Sequence, residues 1–314
     1  LTGVASTDNI RTNTNATFLQ NVNVSGSTTT GTTIVGGGVT ISESGIEASG
    51  IGITCANING TQIGGRRNII INGDCRVAQR ATSSTTGGLT TIDRWRGGVG
   101  SGVGSITITR SQQSLSSSDT GPWEEGFRKY FRIALSGAGT ANAAGALENQ
   151  IRIEAQDIAN SGWNYLSPSS FMTISFWFRC STNQTFYGRI YSYDGTAQAY
   201  AYSFTASANN TWTKITHTFP GNANLTFDDN NAAGMQVLFI PFYGTNYTND
   251  KTLNTWAAHD SNNYIPDMAS TWLTAGASTF DMTGLQLEVG SQATAFEHRS
   301  FGDELALCQR YYYR

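Results

Sequence analysis

Phe171-Met172-Thr173-Ile174-Ser175-Phe176-Trp177-Phe178-Arg179 alternates large apolar residues with hydroxyl, indole and guanidinium side chains, one position at a time. A period of two puts Met172, Ile174, Phe176 and Phe178 on one face of an extended chain, and that pattern defines a half-buried β-strand. Thr211-Trp212-Thr213-Lys214-Ile215-Thr216-His217-Thr218-Phe219 repeats the alternation. Working outward from these two, strands are expected near 68–72, 76–80, 91–97, 104–110, 129–135, 147–154, 186–193, 197–205, 235–242 and 280–289. Gly, Asn and Ser turns separate them at roughly ten-residue spacing, which predicts an all-β sandwich or barrel over residues 66–302. Only two helical pieces are expected. One is a turn at Ala155–Asn160; the other spans Asp303–Tyr311, where Asp303 suits a first helical turn.

The chain of 314 residues is long enough for one large β-domain with an appendage, or for two ordinary domains. Charged residues make up 13%, about half of the usual share. Ser, Thr, Asn and Gly must therefore cover the surface, as suits a protein working outside a cell. The formal net charge is −3, and no Lys/Arg stripe offers phosphate neutralisation, so no nucleic-acid partner is expected. Cys55, Cys75, Cys180 and Cys308 form no Cys-x-x-Cys pair, so buried free thiols are expected and one disulfide stays open. The longest apolar run, Met235–Phe242, is a strand-length segment, far below the roughly 20 residues of a membrane span. No membrane insertion and no signal peptide are expected. Leu1 in place of Met is what a fragment would show.

Composition breaks near residue 65. Before it stand four charged residues (Asp8, Arg11, Glu43, Glu47) and one aromatic, Phe18. Residues 21–65 alternate Val/Ile with Ser/Thr between frequent glycines. Ordering each residue costs roughly 1–2 kcal/mol of backbone entropy, and the few Val and Ile side chains contribute roughly 1.5–3 kcal/mol each at best. The segment is either a flexible linker or several copies wound together around a shared apolar face. The regular alternation favours the second, an intertwined fibrous β stem over residues 1–65, and hence a homotrimer.

Three further stretches carry a family resemblance. Arg67-Asn68-Ile69-Ile70-Ile71-Asn72-Gly73-Asp74-Cys75-Arg76-Val77-Ala78-Gln79-Arg80 with Asp93-Arg94-Trp95 resembles the start of a jelly-roll domain common in phage tail-fibre proteins. Ile174-Ser175-Phe176-Trp177 looks like its central strand. Met282-Thr283-Gly284-Leu285-Gln286-Leu287-Glu288-Val289-Gly290, Ala293-Thr294-Ala295-Phe296-Glu297-His298-Arg299-Ser300 and Glu304-Leu305-Ala306-Leu307-Cys308-Gln309-Arg310-Tyr311-Tyr312 resemble its closing signature. The resemblance spans about three quarters of the chain. Cys75 and Ala295 depart from it, where such domains often carry Phe and Pro. It implies a jelly roll of the carbohydrate-binding type in a trimeric fibre on a virion, in contact with other tail proteins and with host-surface glycan. Residues 303–314 would connect to a further domain, with a short helix packing near the threefold axis.

Candidate chemistry is sparse. His217 and His298 are expected to be structural and His259 solvated. Glu124-Glu125 and Asp228-Asp229 offer carboxylates of the kind a glycosidase or a Ca²⁺ site needs, but they sit among turn residues and read as solvated loops. Asn72-Gly73-Asp74 suits an Asx-type turn, Arg94-Trp95 a packing pair, and Glu297-His298-Arg299 a clamp on the departing chain. No catalytic residue, metal or cofactor is expected. The long span 243–278 is the candidate ligand site. Its Tyr243, Tyr247, Trp256, Tyr264 and Trp272 offer faces for sugar rings, and Asp260, Asn262 and Asn263 offer hydrogen bonds. The same aromatics would otherwise serve as a cap on one end of the sandwich. The reading taken is a structural attachment protein. A lectin-like module that itself forms the receptor-binding tip is the alternative, and a polysaccharide depolymerase the least favoured.

Overall fold

The computed structural model describes residues 67–98 and 102–314, and four short backbone strands before them. The chain divides into the units Leu1–Cys55 and Ala56–Arg314. In the first, β1 (Val39–Ser42) and β2 (Gly45–Ala48) form an antiparallel hairpin with Ile41 opposite Ile46. In the second, β3 (Asn57–Ile58) pairs with β4 (Thr61–Gln62). The rest of the expected stem, with its intertwining, lies outside the described residues.

The second unit is a sandwich of two six-stranded antiparallel sheets. The first runs in the order β13 (Thr213–Pro220), β10 (Phe171–Cys180), β18 (Thr279–Val289), β8 (Lys129–Leu135), β7 (Ile108–Ser114) and β5 (Ser83–Ser84). The second runs β16 (Trp256–Ala258), β12 (Gln198–Phe204), β11 (Phe186–Ser192), β14 (Ala233–Tyr243), β9 (Ala146–Glu154) and β6 (Arg96–Gly97). From β8 onward the chain crosses to β9, back to β10, over to β11–β12, back to β13, over to β14 and finally to β18. This repeated crossing is a jelly roll, and the all-β expectation holds.

The alternation that marked the strands fills the space between the sheets. Phe176 of β10 meets Phe204 of β12 at 5.3 Å and Phe239 of β14 at 5.0 Å, both edge-on, the arrangement aromatic quadrupoles favour. Opposite Ser175 and Trp177 the register of β18 slips. Gly284 takes φ 65° there, and a side chain at that position would collide with the buried Phe127 ring.

Segments 68–72 and 76–80, expected as strands, are irregular. The Ile69 amide donates to the Leu287 carbonyl of β18 at 2.9 Å, but most of the other backbone groups pair with side chains instead of a ladder. Glu297 accepts from the Asn68 amide at 2.6 Å, and Glu304 accepts from the Asn72 amide at 2.5 Å. Asn72, at φ 60°, accepts from the Val77 amide at 3.0 Å and donates to the Val77 and Asp93 carbonyls at 2.8 and 2.9 Å. Arg299 donates to the carbonyls of Asn68 and Ile70, the clamp expected of this segment. The strand expected at 91–97 shrinks to β6, and that at 104–110 falls at β7.

The α3 helix (Phe301–Gln309) opens on Ser300, whose hydroxyl accepts from the Asp303 amide at 3.1 Å, with Asp303 and Glu304 in the first turn. Cys308 is fully buried against Ile71 and Val77, with Leu305, Leu307 and Tyr311 packed beside it. Of the apolar residues expected to pack against other copies, Cys308 is covered by its own chain, Leu305 and Leu307 are half-buried and Ala306 is exposed. Arg94 lies over the Tyr311 ring at 3.5 Å and Arg80 over Tyr312 at 3.6 Å. Arg94 therefore stacks on the C-terminal segment, while Trp95 packs inward on Phe131. Cys75, Cys180 and Cys308 are free and buried.

Candidate functional site

The outer face of the second sheet carries unusual side chains. Leu147, Ile151 and Ile153 of β9 enter the core, so Glu148, Gln150 and Arg152 point away from it. The same rule turns Tyr187, Arg189 and Tyr191 of β11 outward, together with Ala201 of β12 and Gln236, Leu238 and Ile240 of β14. Leu238, Ile240 and Ala201 would meet water there, yet they are buried. The segment following β14 folds back over them and supplies Ile265, with Tyr247, Leu253, Tyr264 and Met268 packed alongside. Burial of an aliphatic side chain contributes about 1.5–3 kcal/mol, so a few such residues can hold the strap down. Its shape is set by a parallel pairing of β15 (Thr248–Asn249) with β17 (Ile265–Pro266) and by β16 on the edge of β12. The long loop therefore lies across a sheet face and does not cap an end of the sandwich.

Along one side of the strap runs a groove of about 630 Å³ lined by Thr86–Gly88, Arg96–Gly98, Ala146, Glu148, Tyr243, Tyr247 and Tyr264. The three tyrosine rings lie 5.3–5.9 Å apart, Tyr247 and Tyr264 stacked at 25°. Gly97 and Gly98 leave room for the Arg110 and Glu148 side chains to lie directly against the backbone. The Tyr243 hydroxyl and the Gln150 amide donate to Glu148. Gln150 in turn accepts from Gln236 and Arg152. Burial, then the Glu148 charge, pushes the Tyr243 hydroxyl pKa well up, so it remains a donor.

Beneath Tyr264 sits Arg189, 3% exposed. Its guanidinium lies 4.5 Å from the Tyr264 ring centre and 4.7 Å from that of Tyr191, and contacts His259 Nδ1 at 2.6 Å. Guanidinium only donates, so His259 Nδ1 is the acceptor and carries no proton. Burial first, then the Arg189 charge, lowers the His259 pKa. His259, expected to be solvated, is part of this stack and lies 5.2 Å from Tyr264. Aromatic faces beside fixed donors and acceptors can hold a flat, hydroxylated ring.

The expected ligand residues separate into two groups. Tyr243, Tyr247 and Tyr264 come together in the groove. Asp260 and Asn262 are exposed in a turn where Asp260 accepts from the Asn262 amide at 2.9 Å, and Asn263 is half-buried beside them. Trp256 and Trp272 are core residues. Trp256 packs on Tyr200 and Phe219 and donates to the Pro220 carbonyl at 2.7 Å. Trp272, wholly buried at the start of α2 (Thr271–Thr274), meets Phe186 and Phe280 and donates to the Thr279 carbonyl at 2.8 Å. Their size suited the interior, and a partner for each indole N–H was available there. Arg96, Glu148, Arg189 and Lys251 escaped the sequence reading. The outward positions of Glu148 and Arg189 follow from strand alternation, but not which loop covers that face.

The other polar candidates have structural roles. His217 stacks on Tyr202 at 4.6 Å and faces the Tyr200 hydroxyl at 3.3 Å, while His298 contacts the Glu125 carbonyl. Glu124 accepts from the Gly121 amide, Glu125 from Trp177 and Lys214, and Asp229 from Asn160. Among the described residues, no cluster of three His, Cys, Asp or Glu side chains is placed to hold a metal ion.

No protein-family model matches the chain, and no curated protein matches it. Solved structures to which it is similar include the enzymatically active domain of tailspike protein 4 of bacteriophage CBA120, at 11% identity over 71% of this chain and 21% of that one, with a TM-score of 0.35. Another is the family 11 carbohydrate-binding module of a cellulosomal cellulase of Clostridium thermocellum, at 11% identity over 69% and 98%, TM-score 0.31. A third is the N-terminal cellulose-binding domain of Cellulomonas fimi β-1,4-glucanase C, at 10% identity over 69% and 99%, TM-score 0.31.

Proposed function

We propose that this chain is a glycan-binding attachment module that acts as a homotrimer in a phage tail fibre, on the virion and against the host-cell surface. Residues 1–65 form its stem and residues 66–302 carry the binding groove. The observation that carries the reading is the groove of Tyr243, Tyr247 and Tyr264 beside Glu148 and Arg96. Sugar rings present apolar C–H faces and hydroxyl edges, and this groove offers partners for both. Glu148 is the one carboxylate among the lining residues and is engaged by Tyr243 and Gln150. Hydrolysis of a glycosidic bond ordinarily takes two carboxyl groups, so the groove suits binding without cleavage.

Stacking one ring on a sugar contributes about 1 kcal/mol, by analogy with aromatic pairs, and with a few hydrogen bonds of roughly 1 kcal/mol each a single groove reaches about 4 kcal/mol, the millimolar range. Three linked grooves gain through effective concentration. The stem supports the trimer, because its Val and Ile residues are too few to bury a core in one copy. The test is a glycan array probed with the full chain, then with Tyr247→Ala, whose half-exposed ring can be removed with little loss of packing. A fivefold or greater loss of binding at unchanged melting temperature is expected. Undiminished binding would overturn the assignment of the groove, and a folded monomer in sedimentation at micromolar concentration would overturn the trimer.

A further inference from the structure

We infer that the ligand of this groove is an acidic glycan, its anionic substituent met by cations gathered on the outer face of the second sheet; the inference rests on the glycan-binding reading above. Four cations converge there: Arg96 from β6, Arg152 from β9, Arg189 from β11 and Lys251 from the strap. Among the described residues, seven of the thirteen cations elsewhere have a carboxylate within 4.0 Å: Arg76, Arg80, Arg132, Arg179, Lys214, Arg299 and Arg310. None of the four on this face has one. The carboxylates nearby are engaged by other partners: Glu148 by Tyr243 and Gln150, Asp260 by the Asn262 amide, Asp267 by Thr248, and Glu154 by Arg310 and Gln156. Each of the four cations is therefore left without a direct ion-pair partner, in a chain whose formal net charge is −3.

Arg189 is the second observation. It is 3% exposed, and its Nε has no hydrogen-bond partner. A guanidinium stays charged at any ordinary pH, and a buried charge without a counter-charge is strongly unfavourable. Aromatic faces offset only part of that penalty. Its charge also lowers the pKa of Lys251 and His259, in both cases behind burial and opposed by Asp260, as expected where positive groups crowd together. An anion on the sugar supplies a counter-ion. Arg96 lines the same groove as Tyr247 and Tyr264, so a ring stacked on either tyrosine lies beside a free guanidinium. A carboxylate, a phosphate and a sulfate share the chemistry that such a site recognises.

The full chain is tested against matched saccharide pairs: oligogalacturonate and its carboxyl-reduced counterpart, and phosphorylated or sulfated oligosaccharides and their uncharged parents. Binding to at least one charged member, at least tenfold tighter than to its neutral partner and weakened between 50 and 300 mM salt, is expected; the pair showing the preference identifies the anion. Arg96→Gln and Lys251→Gln should each weaken that binding threefold or more without lowering the melting temperature. Equal binding to charged and neutral partners would overturn the inference and leave the glycan-binding reading standing. A preference for acidic sugars untouched by either substitution would also overturn it, by placing the anion elsewhere. Binding of no saccharide, charged or neutral, would overturn both.

Discussion

Replacing Asp281 with Asn should lower the melting temperature more than any single substitution in the groove. Asp281, on the outer face of the first sheet, is fully buried and joins three adjacent strands. Arg132 of β8 donates Nε and Nη2 to its two oxygens, each at 2.7 Å, and Arg179 of β10 donates Nε at 3.0 Å. Arg179 also holds Asp119 at 2.7 Å, which accepts from Trp212, so the carboxylate organises a wider network. Removing one member of a buried ion pair typically costs about 3–5 kcal/mol. The arginine side chains are 27% and 17% exposed, so water recovers part of their solvation, and a value of about 3 kcal/mol is expected. For a domain of this size 1 kcal/mol corresponds to about 2–4 °C, which gives a fall of about 6–12 °C in calorimetry at neutral pH. Asp281→Asn combined with Arg132→Met should recover part of the loss, because one stranded charge leaves with its partner. A fall of less than 2 °C for the single variant would show that the triad does not staple these strands.

Trp256→Ala should lose about 3–5 kcal/mol of stability through the cavity and the freed Pro220 carbonyl, measured by denaturant unfolding, and any loss of binding should track that loss of fold. Burial pushes the His217 pKa down to about 4, below its usual 6.5, so the fold favours the neutral ring. Its contribution is complete above pH 6.5 and is lost as pH falls from 6.5 through 4, by about 1–3 kcal/mol after allowance for partial exposure. Melting curves at pH 7, 5.5 and 4 should show a smaller acid loss for His217→Gln than for the parent chain. Burial also raises the Cys308 thiol pKa strongly, and the side chain is enclosed by Ile71 and Val77. A soluble thiol reagent should leave Cys308 unmodified until denaturant is added, and rapid labelling of the native chain would contradict the packing of α3.

The strands at 129–135, 147–154, 171–179, 186–193, 197–205, 235–242 and 280–289 were legible because each spends one face on the core, which imprints a period of two. Segments 68–72 and 76–80 carry the same composition without that pairing. Only the Ile69 amide reaches a strand, and those of Asn68, Asn72 and Val77 go to Glu297, Glu304 and Asn72, partners up to 232 residues away, a bond no local pattern announces. The groove was half legible for a related reason. Tyrosines among Asn and Thr mark a surface that can hold a ring, and three of them do line it. Trp256 and Trp272 look no different in sequence from the groove aromatics, yet each finds a carbonyl waiting for its indole N–H inside, that of Pro220 and that of Thr279. Arg189 sits in a strand that reads as ordinary, and the lack of a carboxylate within 4.0 Å of it among the described residues is a property of the assembled face alone.

The stitching of residues 67–77 to 297–312 has a mechanical consequence. The segment leading into the sandwich and the segment leading out are bonded to each other through Asn68–Glu297, Asn72–Glu304, Arg299–Ile70 and the Cys308 contacts. Tension applied between residues 67 and 312 is therefore borne first by this short bridge, with several hydrogen bonds loaded at once, and beyond it the load reaches the strands through the bonds of Asn68 and Ile69 to β18 and of Arg310 to Glu154 of β9. A module wired this way can transmit a pull while its groove keeps its shape, so grip on the ligand and strength under load are carried by different residues.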